Sequence, residues 1–114
     1  MAKMETVIYG NFHELLNVIE QGILQGSISA SLEDASDFAY DNARCAVRVF
    51  ERFSWLGGNR VSLNVTLFEA KEGRIHVSAI ASGGSQAMLY KVNTWGEENF
   101  LSELEAVLQR YPKY

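Results

Sequence analysis

The sequence predicts one α+β domain, in which an antiparallel sheet of about six strands is packed on one face by two helices. Three observations lead to this prediction. Several segments alternate apolar and polar residues with the period of a strand, two others repeat apolar residues at helical spacing, and turn-forming glycines separate them. The predicted order is β-α-β-β-β-β-β-α, and a chain of 114 residues suits a single domain, residues 1–114.

The first part of the chain is predicted to hold a strand, a helix and a second strand. Met4–Tyr9 is short and rich in residues that favour strands. Asn11 is a suitable N-cap for the helix, and Gly26 is expected to end it in a left-handed conformation. Ser27–Glu33 alternates apolar residues with serine, which indicates a half-buried strand. The helix is predicted from apolar residues at helical spacing: Phe12, Leu15, Leu16, Ile19 and Ile23.

Four consecutive antiparallel strands are predicted in the second part of the chain. Each segment has apolar residues at alternate positions, which a strand places on one face of its sheet. We place turns at 54–58, 70–72 and Gly83–Gly84, so that each strand pairs with the next. In this register apolar residues lie opposite apolar residues in every pair of strands. A shift of one residue in any pair would move the apolar residues of one strand to the opposite face of the sheet. The predicted strands are Arg44–Phe53, Asn59–Glu69, Arg74–Ser82 and Gln86–Asn93.

The predicted register of these turns has specific consequences. Val47 is expected beside Val65 and Val65 beside Val77, with Arg52 beside Arg60 on the other face. Arg48 is expected close to these two arginines, and the nearby acids are expected to neutralise the three only incompletely. The two glycines of the last turn are expected to have positive φ, which the tight hairpin turn requires. That turn is expected to place Val77 beside Tyr90.

A second helix is predicted to close the chain. Thr94 is a suitable N-cap, and Pro112 ends the helical pattern. We expect Leu104 to pack on Leu63, Val65 and Val77 in the core. The apolar stripe of this helix consists of Trp95, Leu101, Leu104, Leu108 and Tyr111, with Phe100 and Val107 at its margins.

Composition limits the classes of function. The apolar share of 47% is too high for a disordered chain, and the net charge of −4 disfavours nucleic acid as a partner. With no apolar run of about 18 residues and no signal-peptide leader, the sequence predicts a cytoplasmic protein without a membrane anchor. Cys45, the only cysteine, lies in an alternating apolar run and is expected to be buried.

No motif specific for catalysis, a metal or a cofactor is present, so no catalytic, metal or cofactor residue is predicted, and whether the protein is an enzyme stays open. His13 and His76 lack a neighbouring nucleophile or orienting group in the sequence. Residues 34–43 are expected to form a loop, in which the acids Asp34, Asp37 and Asp41 are solvated rather than gathered around a divalent cation.

The predicted polar face of the sheet is the main functional candidate, because it combines cations with large apolar groups. We expect it to mediate self-association as a homo-oligomer, a dimer in the simplest case, or to bind an anionic ligand or an acidic protein surface. A plain solvated surface is the alternative. The candidate interaction face consists of Arg48, Phe50, Arg52, Arg60, Asn64, Phe68, Arg74, His76 and Lys91.

A small-ligand carrier is the alternative function. Its pocket would lie between the sheet and the C-terminal helix, lined by Met88, Tyr90, Trp95 and Tyr111. The element order resembles the helix-grip architecture, in which a curved antiparallel sheet cradles a long C-terminal helix. That likeness is architectural and implies no activity.

The chain also resembles a family of short, uncharacterised bacterial proteins, a domain of unknown function. The resemblance rests on four runs: ILQGSISASLED, RCAVRVFERFS, GGNRVSLNVTL and SAIASGGSQA. They cover roughly half of the chain, from the first helix to the last predicted hairpin. The resemblance implies a bacterial single-domain protein and supplies no active-site residues.

Overall fold

The computed structural model describes the backbone of residues 1–54, 59–83 and 90–111 and the side chains of 1–53, 60–83 and 96–111. The α+β prediction is confirmed, and the described residues form seven elements. These are β1 (Ala2–Tyr9), α1 (Phe12–Gln25), β2 (Ser31–Tyr40), β3 (Ala43–Ser54), β4 (Asn59–Lys71), β5 (Arg74–Gly83) and α2 (Tyr90–Arg110).

The five strands form one antiparallel sheet in the order β1-β5-β4-β3-β2. The sequence predicts a sixth strand at Gln86–Asn93, but α2 already begins at Tyr90, so that prediction is wrong for residues 90–93. Its place beside β5 is taken by β1, where Thr6 lies opposite Val77. The likeness to the helix-grip architecture stays a prediction.

The core lies between the sheet and the two helices. Leu63, Val65 and Val77 are buried, as the sequence predicts, and Leu104 of α2 belongs to the same apolar cluster. α2 packs mainly on β5, β4 and β1, whereas α1 contacts α2 and makes few contacts with the sheet. The buried residues of α1 are those predicted from helical spacing: Phe12, Leu15, Leu16, Ile19 and Ile23.

The start of α1 is tied to the end of α2. Asn11 caps α1, because its side-chain oxygen accepts a hydrogen bond from the Glu14 amide at 2.9 Å. The Tyr111 hydroxyl accepts from the Asn11 amide at 3.1 Å and donates to a Glu14 carboxylate oxygen at 3.1 Å. The predicted left-handed conformation at the end of α1 is wrong, since Gly26 has the right-handed helical conformation, with φ of −76° and ψ of −14°.

The segment predicted to be a loop is an edge strand. β2 covers Ser31–Tyr40, so only its first residues overlap the predicted strand Ser27–Glu33. Most of β2 is exposed on both sides, which explains why its sequence lacks the alternation of a half-buried strand. A two-residue turn joins it to β3, with Asp41 at a positive φ of 52°.

The β3–β4 register differs by one residue from the predicted one. Val47 lies opposite Thr66 rather than Val65, and Arg52 lies opposite Val61 rather than Arg60. A one-residue shift exchanges the two faces of a strand. Cys45 is therefore only partly buried, on the side of the sheet away from the helices, and its predicted core position is wrong.

The β4–β5 register differs by two residues, which preserves the faces. Val65 lies opposite Ala79, and an irregularity between Glu69 and Lys71 accommodates the extra residue. Gly73 lies in the turn with a φ of 85°. The predicted positive φ of Gly83 is wrong, because Gly83 is the last residue of β5 and has extended backbone. Gly84 and the rest of that predicted turn lie outside the described residues.

We expect Gly73→Ala to lower the free energy of unfolding by about 1–2 kcal/mol, because a Cβ disfavours the left-handed backbone of this turn. The added methyl group has room, since the Gly10 carbonyl oxygen lies 3.8 Å from the position that the Cβ would take. Chemical denaturation measures the change. Gly73→Asn is the control and should cost less, because asparagine tolerates positive φ; equal costs for the two variants would contradict a backbone origin.

The beginning of α2 also differs from the prediction. Thr94 lies inside the helix, four residues after its first residue, and so is not the N-cap. The predicted stripe is confirmed for its described members, because Leu101, Leu104, Leu108 and Tyr111 are all buried. The side chain of Trp95 lies outside the described residues.

Candidate functional site

Both helices lie on one side of the sheet, and the described residues leave the other side uncovered. We call this side the open face. Strand alternation and cross-strand pairing place on it every second residue of the five strands. Its principal members are Val7, Phe38, Tyr40, Cys45, Val47, Val49, Phe53, Arg60, Asn64, Thr66, Phe68, Arg74, His76, Ser78 and Ile80.

Large apolar side chains on the open face are exposed to solvent. Phe38 is 62% exposed, Tyr40 80%, Phe53 40%, Phe68 42% and Ile80 39%. Phe38 lies opposite Cys45, which in turn lies opposite Phe68, so these three residues form one row across β2, β3 and β4. Contiguous exposed apolar groups of this kind mark interaction surfaces more often than scattered single residues do.

The predicted interaction residues divide between the two faces. Five of them share the open face as predicted: Arg60, Asn64, Phe68, Arg74 and His76. The His76 ring lies 6.3 Å from the Phe68 ring, and an Arg74 terminal nitrogen lies 3.4 Å from His76 Nε2. These contacts gather an aromatic ring, an imidazole and a guanidinium on β4 and β5.

The remaining predicted residues lie elsewhere, so their assignment to one face is wrong. Arg48, Phe50 and Arg52 point to the helix side of β3, where Phe50 is fully buried. This is the direct consequence of the one-residue register shift. Lys91 lies in α2 rather than in a sixth strand, and its side chain lies outside the described residues.

The arginines of β3 are neutralised by acids, contrary to the prediction of incomplete local neutralisation. Arg48 is 8% exposed and binds Glu20 of α1 at 2.5 Å and Asp37 of β2 at 3.1 Å. Arg52 pairs with Glu103 of α2 and lies over the Phe100 ring. Burial lowers the pKa of Arg48, but its hydrogen bonds and charge interactions with the two acids raise it by more, so it stays charged.

Arg60 is the only member of the predicted trio Arg48, Arg52 and Arg60 on the open face. It pairs with Glu51 at 2.9 Å, an acid of the neighbouring strand on the same face. The predicted cluster of three uncompensated arginines is therefore not formed. The open face is instead an apolar and aromatic surface with charges of both signs.

The pocket predicted for the alternative function receives little support from its described member. Tyr111 is buried, and its hydroxyl group is engaged by Asn11 and Glu14. Met88 and the side chains of Tyr90 and Trp95 lie outside the described residues. Within the described ranges, no group of three or more His, Cys, Asp or Glu side chains is placed to hold a metal ion.

Three aromatic members of the open face were not in the predicted site: Phe38, Tyr40 and Phe53. A signal for two of them is present in the sequence, because Phe38 and Tyr40 are two residues apart and precede the turn-forming pair Asp41–Asn42. The acids Asp34, Asp37 and Asp41 of the same segment favour a solvated loop instead, so the segment is not predicted as a strand. Phe53 shares the alternating set of Cys45, Val47 and Val49, for which the sequence predicts the core.

A family model for a family of unknown function, DUF6054, matches residues 1–112. The chain belongs to the DUF6054 family. This match confirms the sequence-based resemblance to a domain of unknown function, and the match itself assigns no activity. A comparison with curated proteins finds no match. Among the described helices, none combines the length and apolar character needed to cross a membrane.

Proposed function

We propose that this DUF6054 chain is an interaction module that self-associates as a homodimer through its open face. The main observation in support is that aromatic and aliphatic side chains are exposed on a face of the sheet that no described helix covers. Water contact with these groups is unfavourable, and burying them contributes about 25 cal/mol for each Å² of apolar surface. Sheets with one apolar face commonly bury it against a second sheet.

The size of the open face supports a second copy as the occupant. Five strands spaced about 4.8 Å apart span about 19 Å between the outer strands, or about 24 Å with half a spacing added at each edge. The strands have 8 to 13 residues, and a strand of about ten residues extends about 33 Å. The face therefore offers about 800 Å² for each copy. This is close to the roughly 800 Å² per partner of a standard stable interface.

The charges of the open face also fit a self-complementary contact. Cations and acids are mixed on it, as in the pair of Arg60 with Glu51 and the presence of Glu5 beside Ser78 on the neighbouring strand. A face of one sign would repel its own copy, whereas mixed charges permit close approach. The polar residues Asn64 and Thr66 supply hydrogen-bonding groups near the centre of the face.

Phe68→Asp should convert the dimer into a monomer, because a carboxylate on the middle strand of the interface would be desolvated without a partner. Phe68 projects into solvent, so the fold of the monomer should be preserved. Sedimentation velocity gives the mass in solution, and circular dichroism checks the fold. Ile28→Asp is the matched control, since Ile28 is fully exposed in the segment between α1 and β2 and is not a member of the open face.

The unmodified chain and Ile28→Asp are expected to sediment as dimers, and Phe68→Asp as a folded monomer. Two results would contradict the proposal. One is a monomeric unmodified chain at the concentrations at which the variants are compared. The other is a dimer that persists in Phe68→Asp with an unchanged association constant.

A further inference from the structure

The sheet ends in two edge strands, β1 and β2, each of which pairs with one neighbour among the described strands. The edge at β2 is protected against further pairing. A bulge lies between Leu32 and Asp34, and the Asp34 carboxylate accepts a hydrogen bond from the Ala35 amide at 2.8 Å. Bulges and charged side chains are the features by which native sheets prevent the addition of another strand.

The edge at β1 has no such protection. Its register with β5 runs from Ala2 to Tyr9 without a bulge. Within the part of the chain that the structure describes, no side chain binds its backbone amides and no strand lies along its outer edge. Unlike β2, β1 can therefore accept another strand.

The hydrogen-bonding phase of β1 determines which residues face this edge. The Gly10 amide donates to the Gly73 carbonyl oxygen at 3.0 Å, one residue beyond the pair formed by Tyr9 and Arg74. In an antiparallel sheet, the backbone groups of successive residues point to alternate sides of the strand. The even-numbered residues of β1 therefore bond to β5. The residues that direct their amides and carbonyls outward are Lys3, Glu5, Val7 and Tyr9.

Lys3 and Glu5 are exposed, and neither forms an ion pair with another described residue. Their side chains lie on the side of the open face, where Glu5 is opposite Ser78. Two β1 strands related by a two-fold axis at Met4 would run antiparallel and place Lys3 of each copy opposite Glu5 of the other. On the helix side, the same register brings together the two Met4 side chains, which are only partly buried in one copy.

The other symmetric registers do not compensate these charges. Outward residues must lie opposite outward residues to form hydrogen bonds, which limits the positions of the axis. An axis at Glu5 would place two carboxylates directly opposite each other, and like charges in this position are destabilising. An axis closer to the end of β1 places Glu5 opposite Val7 or Tyr9, which carry no charge. Complementary charges therefore favour the axis at Met4.

We propose that two copies of the chain join through their β1 edges, with Lys3 of each opposite Glu5 of the other, so that two five-stranded sheets become one continuous sheet. The contact consists mainly of backbone hydrogen bonds and buries little apolar surface, so a dissociation constant of about 0.1–1 mM is expected. Sedimentation at micromolar concentrations therefore reports on the open face alone. The edge and the open face are different surfaces, and either contact can form without the other.

The full chain carrying Phe68→Asp, which disables the open face, tests the edge contact at about 1 mM. A dilution series followed by translational diffusion and amide NMR shifts should show a dimer, with shift changes centred on Lys3, Glu5 and Val7. If Phe68→Asp is still a dimer at micromolar concentration, the open-face proposal fails, while the shift changes at β1 still decide the edge contact. A monomer at about 1 mM, or shift changes centred on β2, would overturn the proposal.

Two charge reversals in the same background test the register. Lys3→Glu gives a chain with acids at both positions, and Glu5→Lys gives one with lysines at both. Each alone should associate about tenfold or more weakly, because like charges then lie opposite each other. An equal mixture should restore association, since the acids of one variant lie opposite the lysines of the other. Lys71→Glu makes the same charge change at the end of β4 and should leave association unchanged. A mixture that associates no better than either variant, or equal effects of Lys3→Glu and Lys71→Glu, would refute the assigned register.

Discussion

Leu104→Ala is expected to lower the free energy of unfolding by about 2–5 kcal/mol. Leu104 is fully buried in the cluster that joins α2 to the sheet, together with Leu63 and Val65. Removing its side chain loses transfer free energy and leaves a cavity that the stiff neighbouring strands cannot readily fill. The loss is a large part of the roughly 5–15 kcal/mol that stabilises a typical domain.

Chemical denaturation followed by circular dichroism measures this change. Ser102→Ala is the control, because Ser102 lies on the exposed side of the same helix and its replacement should change the stability by less than about 0.5 kcal/mol. Similar midpoints for Leu104→Ala and the unmodified chain would mean that α2 does not contribute to the core.

Gly22→Val is expected to destabilise the fold by about 1–3 kcal/mol through overpacking at the contact between the two helices. A Cβ at Gly22 would lie 2.5 Å from one γ-carbon of Val107 and 2.9 Å from the other. Val107 is β-branched and has little rotamer freedom in a helix, so it cannot move aside cheaply. The glycine therefore permits the close approach of α1 and α2.

The reciprocal change should rescue the variant. Val107→Ala alone is expected to be destabilising because Val107 is nearly fully buried, but in combination with Gly22→Val it exchanges the large and small residues at one contact. The double mutant should be more stable than the sum of the two single effects predicts, as a double-mutant cycle measures. Strict additivity would contradict direct contact between these positions.

The helices and the strands β4 and β5 could be predicted from the sequence. In β4 and β5, apolar side chains at alternate positions face the helices, and the error of two residues in their register preserved the faces. Phe68, Arg74 and His76 were therefore placed on the correct side of the sheet. The core positions of α1 and α2 followed from helical spacing alone.

The faces of β3 were predicted in reverse for a specific physical reason. β3 lies near the edge of the helix layer, where Arg48 and Arg52 reach acids on α1 and α2 and so can occupy the covered side. The apolar residues Val47 and Val49 then lie on the open face. The prediction assumed that the apolar residues of a strand face the core. That assumption fails for β3, because its open side is apolar and its covered side carries ion pairs.

The other errors arise where local pattern and tertiary pairing disagree. β2 has acids on both faces because one edge and most of its surface contact solvent, so its sequence resembles a loop. Around Tyr90 a short alternating segment was interpreted as a strand, although it begins a helix of 21 residues. Short apolar segments do not distinguish a strand from a helix, and the second pairing partner of β5 is β1, at positions between Tyr9↔Arg74 and Ala2↔Ala81 that are distant in sequence.

Intermolecular NOEs in an equal mixture of isotope-labelled and unlabelled chain test self-association through the open face most directly. Isotope filtering retains only contacts between two copies. The proposed dimer predicts such contacts among the side chains of Phe53, Phe68 and Ile80, which are distributed along the open face from one end of β4 to the other. Intermolecular contacts confined to the helix side, or none in a sample that is monomeric by mass, would contradict the proposal.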